Sequence, residues 1–587
     1  VRLKIAAALV IVGLLTMGLG IAQRTVWAPP ETITHAVTGD FEDAPLTVLD
    51  HTLNNRDGEV QLTVEGEGEM MLAVGRADDV KAWVGDAAHL QVLGYDGDRG
   101  LVAEHTSGET EVPSPRGSDM WQTVETGTDR ITYTWADPAP GQWAILLASE
   151  GDGPAPADVS LTVPNSEGAP WAIPLIVVGA LLTVLGLAMF FGRKKAKPEV
   201  EPAPGTRAAR RRSEAAGKVP MKERSKAGVG RRSFEGGAAA LLSLGLIGGL
   251  GGAALATTSE PADQPESGSA TDAAGTTTSP EAGAVAGGGA GGYPVLLEDQ
   301  LQEIMDSVAS TVEAADAAKN ADDLKQRVAG PALEQRSATY EIQSQNSDYE
   351  APMPISAEPI MAEIITSSYE WPRTVVAVTQ SKQSEVPQAL VLVQEGPRGN
   401  YKLRSAVAML PGTTFPQAPE DPAETTTLDI GSDKALKHSP DSAMAALADV
   451  LAGKESKSAD QVAENTFVEQ ITAFQKEQKK ANSKNADISF DHTVVDENTR
   501  ALRTADGGAL VFGYLSNSMK STPSENGGTV KLDKDYAALA GDDRTEEGVK
   551  ITFGESVMLY VPAAGSDGKI QVIGAAQNLV DADLMDK

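Results

Sequence analysis

Trp171 to Phe191 reads WAIPLIVVGALLTVLGLAMFF, with Arg193, Lys194, Lys195 and Lys197 just beyond it. A helix buried in a globular core keeps a polar stripe, whereas this run is apolar on every face and long enough to cross a bilayer. Two further apolar runs flank it in sequence. Ile5 to Ile21 (IAAALVIVGLLTMGLGI) follows Arg2 and Lys4, and Ala238 to Ala256 (AAALLSLGLIGGLGGAALA) is diluted by five glycines. The first reads as a retained helix, because Ala22, Gln23 and Arg24 lead into Trp27 without a clean small-x-small cleavage pattern; a cleaved signal is the alternative. The fold class expected is therefore a multidomain membrane protein with three transmembrane helices, at 5–21, 171–191 and 238–256.

Charge orients these helices. The chain has 587 residues, 49 basic and 82 acidic, a formal net charge of -33. Gly192 to Gly236 nevertheless holds 14 Lys/Arg against 5 Asp/Glu. Basic loops stay in the cytoplasm, so 192–236 is expected inside, against anionic lipid headgroups, with 24–168 and everything beyond 257 outside. The localisation expected is the cytoplasmic membrane, multi-pass, with both large domains extracytoplasmic. The absence of cysteine removes disulfides and thiolate chemistry. The acidic exterior argues against nucleic acid.

The basic loop ends in Gly230-Arg231-Arg232-Ser233-Phe234-Glu235. Arg231, Arg232 and Phe234 resemble a twin-arginine export signal, although Glu235-Gly236 replaces the usual Leu-Lys continuation, and Ala254-Leu255-Ala256 resembles a peptidase site. The alternative is that these arginines only set topology.

Residues 24–168 read as short strands between turns. Val60, Leu62 and Val64 alternate with polar residues, as do Ile131, Tyr133 and Trp135, and Asp96-Gly97-Asp98 is a hairpin turn. This predicts an all-β sandwich. Trp83 and Trp121 are candidate glycan-stacking residues if half exposed, and core residues otherwise. The stretches Gly75 to His89 (GRADDVKAWVGDAAH), Gly117 to Trp121 (GSDMW) and Pro140 to Ser149 (PGQWAILLAS), followed by a membrane helix, resemble a group of uncharacterised actinobacterial multi-pass membrane proteins over residues 1–195. That resemblance implies no activity and no site residues.

Residues 257–292 lack Lys and Arg and are rich in Gly, Ala, Thr and Ser, the composition of a disordered linker. It is expected to hold the following domains away from the bilayer. Beyond it the pattern of helices followed by strands occurs twice. Leu297, Leu301, Ile304, Val308 and Val312 mark a helix ahead of strands at 360–367, 373–380, 389–394 and 401–410. Ser442 to Leu451 and Phe467 to Phe474 mark helices ahead of strands at 509–515, 549–553, 556–561 and 569–578. The expectation is tandem α+β rolls over 293–430 and 431–587, resembling in layout the nuclear-transport-factor or cystatin-like roll, whose cone is an active site, a ligand pocket or a docking surface in different relatives.

Asp491-His492 is the one adjacent acid–histidine pair of this half, expected at an exposed strand edge. No two of His35, His51, His89, His105, His438 and His492 have ligand spacing, so no metal and no cofactor are expected. G-x-S-x-G, H-E-x-x-H and the phosphate loop are missing. The function expected is an extracytoplasmic binding or scaffolding protein of the cell envelope, its partners the bilayer and an envelope protein or glycan. The alternatives are an envelope enzyme acting on glycans and a transmembrane signalling protein.

Overall fold

The structure is a computed structural model. It describes residues 2–191 and 292–586 apart from positions 40, 56–57, 98–99, 152, 166–169, 368–369, 383, 454–455 and 526–527. The third apolar run (238–256), the basic loop, and Arg231, Arg232 and Phe234 lie outside the described residues, as does nearly all of the linker. The described residues fall into two units, 2–12 with 181–191, and 13–180 with 292–586.

Helices α1 (Arg2–Arg24) and α3 (Ala172–Phe191), with the short α2 (Ala77–Val84) between them in sequence, account for the first and second apolar runs. Both α1 and α3 are long and apolar enough to cross a membrane, so among the described residues there are two such helices where the sequence suggested three. Their buried positions are Ala6, Gly13 and Gly20 on α1 and Ala172, Gly179 and Gly186 on α3, each set spaced by seven. In the first unit Gly186 faces Ala6 and Val10. In the second, a Cβ on Gly179 would collide with the Met17 backbone nitrogen, and one on Gly20 would lie 2.7 Å from the Ala172 carbonyl. Small residues let helix backbones approach where the surrounding solvent supplies no hydrophobic drive.

Between α1 and α3 run strands β1 (Thr32–Val37), β2 (Leu46–Leu49), β3 (Val60–Arg76), β4 (His89–Asp96), β5 (Gly100–Thr106), β6 (Trp121–Trp135), β7 (Trp143–Ser149) and β8 (Asp158–Pro164). They do not form the expected two-sheet sandwich. The order is β6-β3-β7-β2-β4-β5-β1-β8, and β8 pairs back onto β3, closing a ring that includes two parallel pairs, β1 with β5 and β2 with β4. The device that closes it is β3. A register shift between Glu65 and Glu69, at Gly66 and the positive-φ Gly68, lets residues 61–65 pair with β8 and 70–76 with β7. Alternation reads each strand to a side: Val60, Leu62, Met70, Leu72, Trp143, Ile145 and Leu147 point inward, while Met71, Ala73, Ala144 and Leu146 pack outward beneath α2. The alternation was legible in sequence; ring closure through a bent strand was not.

The C-terminal module opens with α4 (Glu298–Ala318), α5 (Ala321–Leu324) and α6 (Gly330–Gln345). The four-stranded sheet β9 (Ile360–Ile365), β10 (Arg373–Thr379), β11 (Gln388–Gln394) and β12 (Lys402–Ala408) follows. Next come α7 (Pro440–Leu451), α8 (Thr466–Asn482), β13 (Ala486–Val494), β14 (Arg500–Arg503), β15 (Ala509–Pro523), β16 (Val530–Lys531), α9 (Lys534–Ala540), β17 (Arg544–Thr545), β18 (Val549–Val561) and β19 (Gln571–Leu584). The helices-then-strands order is present twice, but the halves are not separate cone-shaped rolls. Val375, Ala377, Leu390 and Leu392 pack against α4, while their neighbours Val376, Val378, Val391 and Val393 pack against Leu502, Leu510, Phe512 and Met558 of the second half. In turn Ala509, Val511, Val557 and Leu559 meet α7 and α8. The result is four layers, helices, sheet, sheet, helices. Strands buried on both faces read as unbroken apolar runs, which is how β10 and β11 read.

Candidate functional site

The C-terminal module is not hung free on its linker. It docks on the β-domain through the stretches 75–89 and 117–121. Short α2 presents Asp79, whose Oδ1 accepts a hydrogen bond from Arg373 Nη2 at 2.6 Å, both side chains at most 2% exposed. The Arg373 guanidinium also lies 4.0 Å over the Trp371 ring. Burial pushes the Asp79 carboxyl up, and Arg373 offsets this only in part. Tyr401, wholly buried beside them, has its phenol pushed up by the same desolvation.

A second clasp lies alongside. Asp119 Oδ2 accepts from Arg327 Nη1 at 2.6 Å and from the Tyr401 backbone N–H at 2.7 Å, and Asn400 Nδ2 donates to the Gly117 carbonyl at 2.8 Å. Arg398, in the β11–β12 hairpin, donates to the Trp83 and Val84 carbonyls at 2.9 Å each, satisfying the open end of α2 where a cation is favoured.

Trp83 and Trp121 are 1% and 4% exposed, with ring centroids 6.0 Å apart. They are buried under this interface, and neither indole offers an open face to a sugar. Gly75 makes room for them, since a Cβ there would lie 2.8 Å from the Trp121 ring.

The Asp491-His492 pair divides. Asp491 is exposed, but the His492 side chain is 0% exposed, correcting the expectation of a solvent-facing edge. Its Nδ1 lies 3.0 Å from Glu555 Oε2 and its Nε2 lies 2.9 Å from Gln475 Nε2. The Gln475 amide nitrogen can only donate, so Nδ1 carries the proton and gives it to Glu555. Asn517 and Gln577 donate to Glu555 Oε1, both at 2.9 Å. This polar network ties β13, β15, β18 and β19 together beneath α8, with Asn517 Oδ1 buried and without a hydrogen-bond partner. Glu555 is buried with hydrogen-bond partners on both oxygens, so the group serves as a strand tie.

An open groove of about 1210 Å³ lies between α4 and β9. Glu298, Asp299, Asp306 and Glu313 line it from α4, and Glu358 and Glu363 from the β9 side, with Lys382 the basic residue in the lining. Asp299, Asp306 and Glu313 recur at seven-residue spacing, so they share one helical face. Met361 is 56% exposed in the groove. β9 pairs only with β10 among the described residues, leaving its outer edge open. Burial, with Glu298 close by, raises the Glu363 carboxyl. A second cleft of about 600 Å³ lies between the halves of the module, lined by Tyr349, Tyr536, Asp533 and Asn578 among others. Among the described residues no three His, Asp or Glu side chains are grouped to hold a metal.

Sequence reading missed both clasps, because partners far apart in the chain leave no local spacing signal. The acidic stripe was missed as well, although Asp299, Asp306 and Glu313, seven residues apart beside the apolar face of α4, are the signal that could have found it.

The architecture defines a class: a closed mixed β-domain clasped to a four-layer α/β module, with two helices long and apolar enough to cross a membrane. Residues 293–583 match the model of a family described as a domain of unknown function, DUF8094. The match runs through both halves, in keeping with their shared inter-sheet core. No curated protein and no solved structure matches the chain.

Proposed function

We propose that this is a membrane-anchored extracytoplasmic binding or scaffolding protein of the cell envelope, in which the β-domain and the C-terminal module act as one body. The observation that carries the reading is the groove along β9: open, acidic, and bordered by an unpaired sheet edge. An unpaired edge is a site of strand addition unless it is covered.

Topology supports the same reading. α1 ends and α3 begins at the β-domain, so two spans would leave 32–164 on one face of the membrane and the basic segment 192–236 on the other. The clasps favour the same side for 293–583 as for the β-domain. The chain would then recross between 192 and 292, and Ala238 to Ala256 is the sequence there with suitable length and hydropathy. Packing of α1 on α3 through small residues favours a retained anchor over a cleaved signal. The basic segment would lie against anionic lipid.

One observation favours a second reading, an envelope enzyme acting on glycans. Glu363, its carboxyl raised beside Glu298, has the pairing of a general acid with a carboxylate partner. On that reading Glu363→Gln abolishes turnover of a wall glycan; on the binding reading it leaves wall composition unchanged.

The test exploits the absence of cysteine. Ser114→Cys and Ser310→Cys react with an impermeant maleimide in intact cells, and Ser225→Cys reacts only after permeabilisation. A photo-crosslinker in place of Met361 captures an envelope component, whereas one in place of Ser114, exposed on the β-domain, does not. Labelling of Ser225→Cys in intact cells, or equal capture at both crosslinker positions, would refute the proposal.

A further inference from the structure

The groove has three properties that together select a partner chemistry. It offers an open strand edge of six residues, Ile360 to Ile365, with no strand on its outer side among the described residues. It carries acids on both walls: Glu298, Asp299, Asp306 and Glu313 from α4, and Glu358 and Glu363 from β9 and the chain entering it. None of these six is in a salt bridge among the described residues, whereas Asp316, at the end of the same helix face, is already taken by Arg336 at 2.5 Å. Met361 stands exposed between the walls.

Resting on the reading of this groove as the binding site, we propose that its occupant is an extended Lys/Arg-rich segment of a partner protein, which adds a strand to β9 and sets its basic side chains against the acidic stripe of α4.

The dimensions agree. Asp299 and Glu313 are two heptads apart, about 21 Å along the helix, and six residues of strand extend about 20 Å. Main-chain hydrogen bonds to β9 would supply affinity and the acids would supply selectivity, the division of labour seen when a peptide joins a sheet edge. Glu363 adds a filter. An acid on an edge strand repels an acidic strand, a second copy of β9 included, is desolvated without compensation by an uncharged one, and admits a basic one. A partner with the same charges on a chain unable to form strand hydrogen bonds would lose the main-chain share of the affinity.

The test uses the full chain in detergent and three synthetic decapeptides: alternating Lys and Val, the same peptide N-methylated at alternate backbone amides, and alternating Glu and Val. Binding is read by fluorescence anisotropy. The Lys peptide binds with an affinity that falls as salt rises. The N-methylated peptide binds about tenfold more weakly or worse, and the Glu peptide does not bind. The double variant Asp306→Lys/Glu313→Lys, with both changes on exposed positions of α4, loses Lys-peptide binding while keeping the parent melting temperature. Equal binding of the methylated and unmethylated peptides, or unchanged binding by the double variant, overturns the proposal. The Met361 crosslinker separates the two levels. Capture in cells without Lys-peptide binding in vitro refutes the basic strand but keeps the groove as a site, and failure of both refutes both.

Discussion

The interface with the β-domain and the groove along β9 belong to the same half of the module, and they treat charge in opposite ways. At the interface each buried acid meets its own cation: Asp79 with Arg373, Asp119 with Arg327. In the groove seven acids line the walls against Lys382, and of these only Asp316 is in a salt bridge among the described residues, with Arg336. Desolvation explains the contrast. A charge removed from water is tolerated only when paired and hydrogen-bonded, so a surface used permanently within the chain must match its charges, while one still facing water can hold an excess of one sign. Surfaces of this protein can accordingly be sorted by whether their charges balance.

The comparison breaks most readily at Arg373. Arg373→Ala would strand Asp79 at 2% exposure without its cation, a loss of about 3–5 kcal/mol in docking. With a protease site placed in the linker, cleavage leaves the parent C-terminal module bound to the membrane fraction and releases that of the variant. Asp79→Leu/Arg373→Met, apolar on both sides, recovers much of the attachment; release as complete as in the single variant would show that the pair specifies the interface rather than merely filling it.

Asp119→Ala comes next. It removes the acceptor of Arg327 and of the Tyr401 N–H, costing about 1–3 kcal/mol. Arg327, at 14% exposure, keeps some access to water, so partial release in the same assay is expected.

Acid sharpens the contrast through its sign. The Asp79 carboxyl is raised in the docked state above its ordinary 3.8. The docked form therefore holds a proton that the separated form has lost, and docking strengthens as pH falls through the window from the raised value to 3.8. Attachment of the cleaved module should persist or tighten on mild acidification. An attachment lost between neutral pH and about pH 5 would mean that Coulomb attraction outweighs burial at Asp79.

Much of the module was legible in sequence, and the reasons are physical. β10 and β11 were readable because burial on both faces demands an unbroken apolar run, and α4 because its core face repeats at helical steps. The break placed between 553 and 556 was misread: Gly554 and Glu555 interrupt the apolar pattern, yet β18 runs through them because His492, Asn517 and Gln577 satisfy the buried carboxylate. His492 was placed in solvent for the same reason, since its partners, Gln475 on α8 and Glu555 on β18, come from other elements. The ring that β8 closes onto β3 was hidden because strand alternation reports which face is buried and says nothing of which strand is the neighbour. The site followed the same rule: acids on one helix face could be counted, whereas the clasps require knowing that residue 79 meets residue 373.

The smallest effect is expected in the groove. Burial and the nearby Glu298 raise Glu363 above its ordinary 4.5. The folded state then binds a proton more readily than the unfolded chain, so ionisation of Glu363 removes stability as pH rises from 4.5 through the raised value. Glu363→Gln cannot ionise, and it should flatten the melting temperature against pH across that window and raise it slightly at neutral pH. Glu298 of α4 is the charged group that acts on Glu363, and Asp299, Asp306, Glu313, Asp316, Glu358 and Lys382 line the same groove. A basic strand lying in the groove would act on Glu363 as the glutamine does, by removing the penalty on its negative charge, so peptide binding should release protons and strengthen as pH rises through the same window. Loss of that pH dependence in Glu363→Gln, with binding retained, would place the cation against this carboxylate; a pH dependence unchanged by the substitution would show that the cation does not sit there.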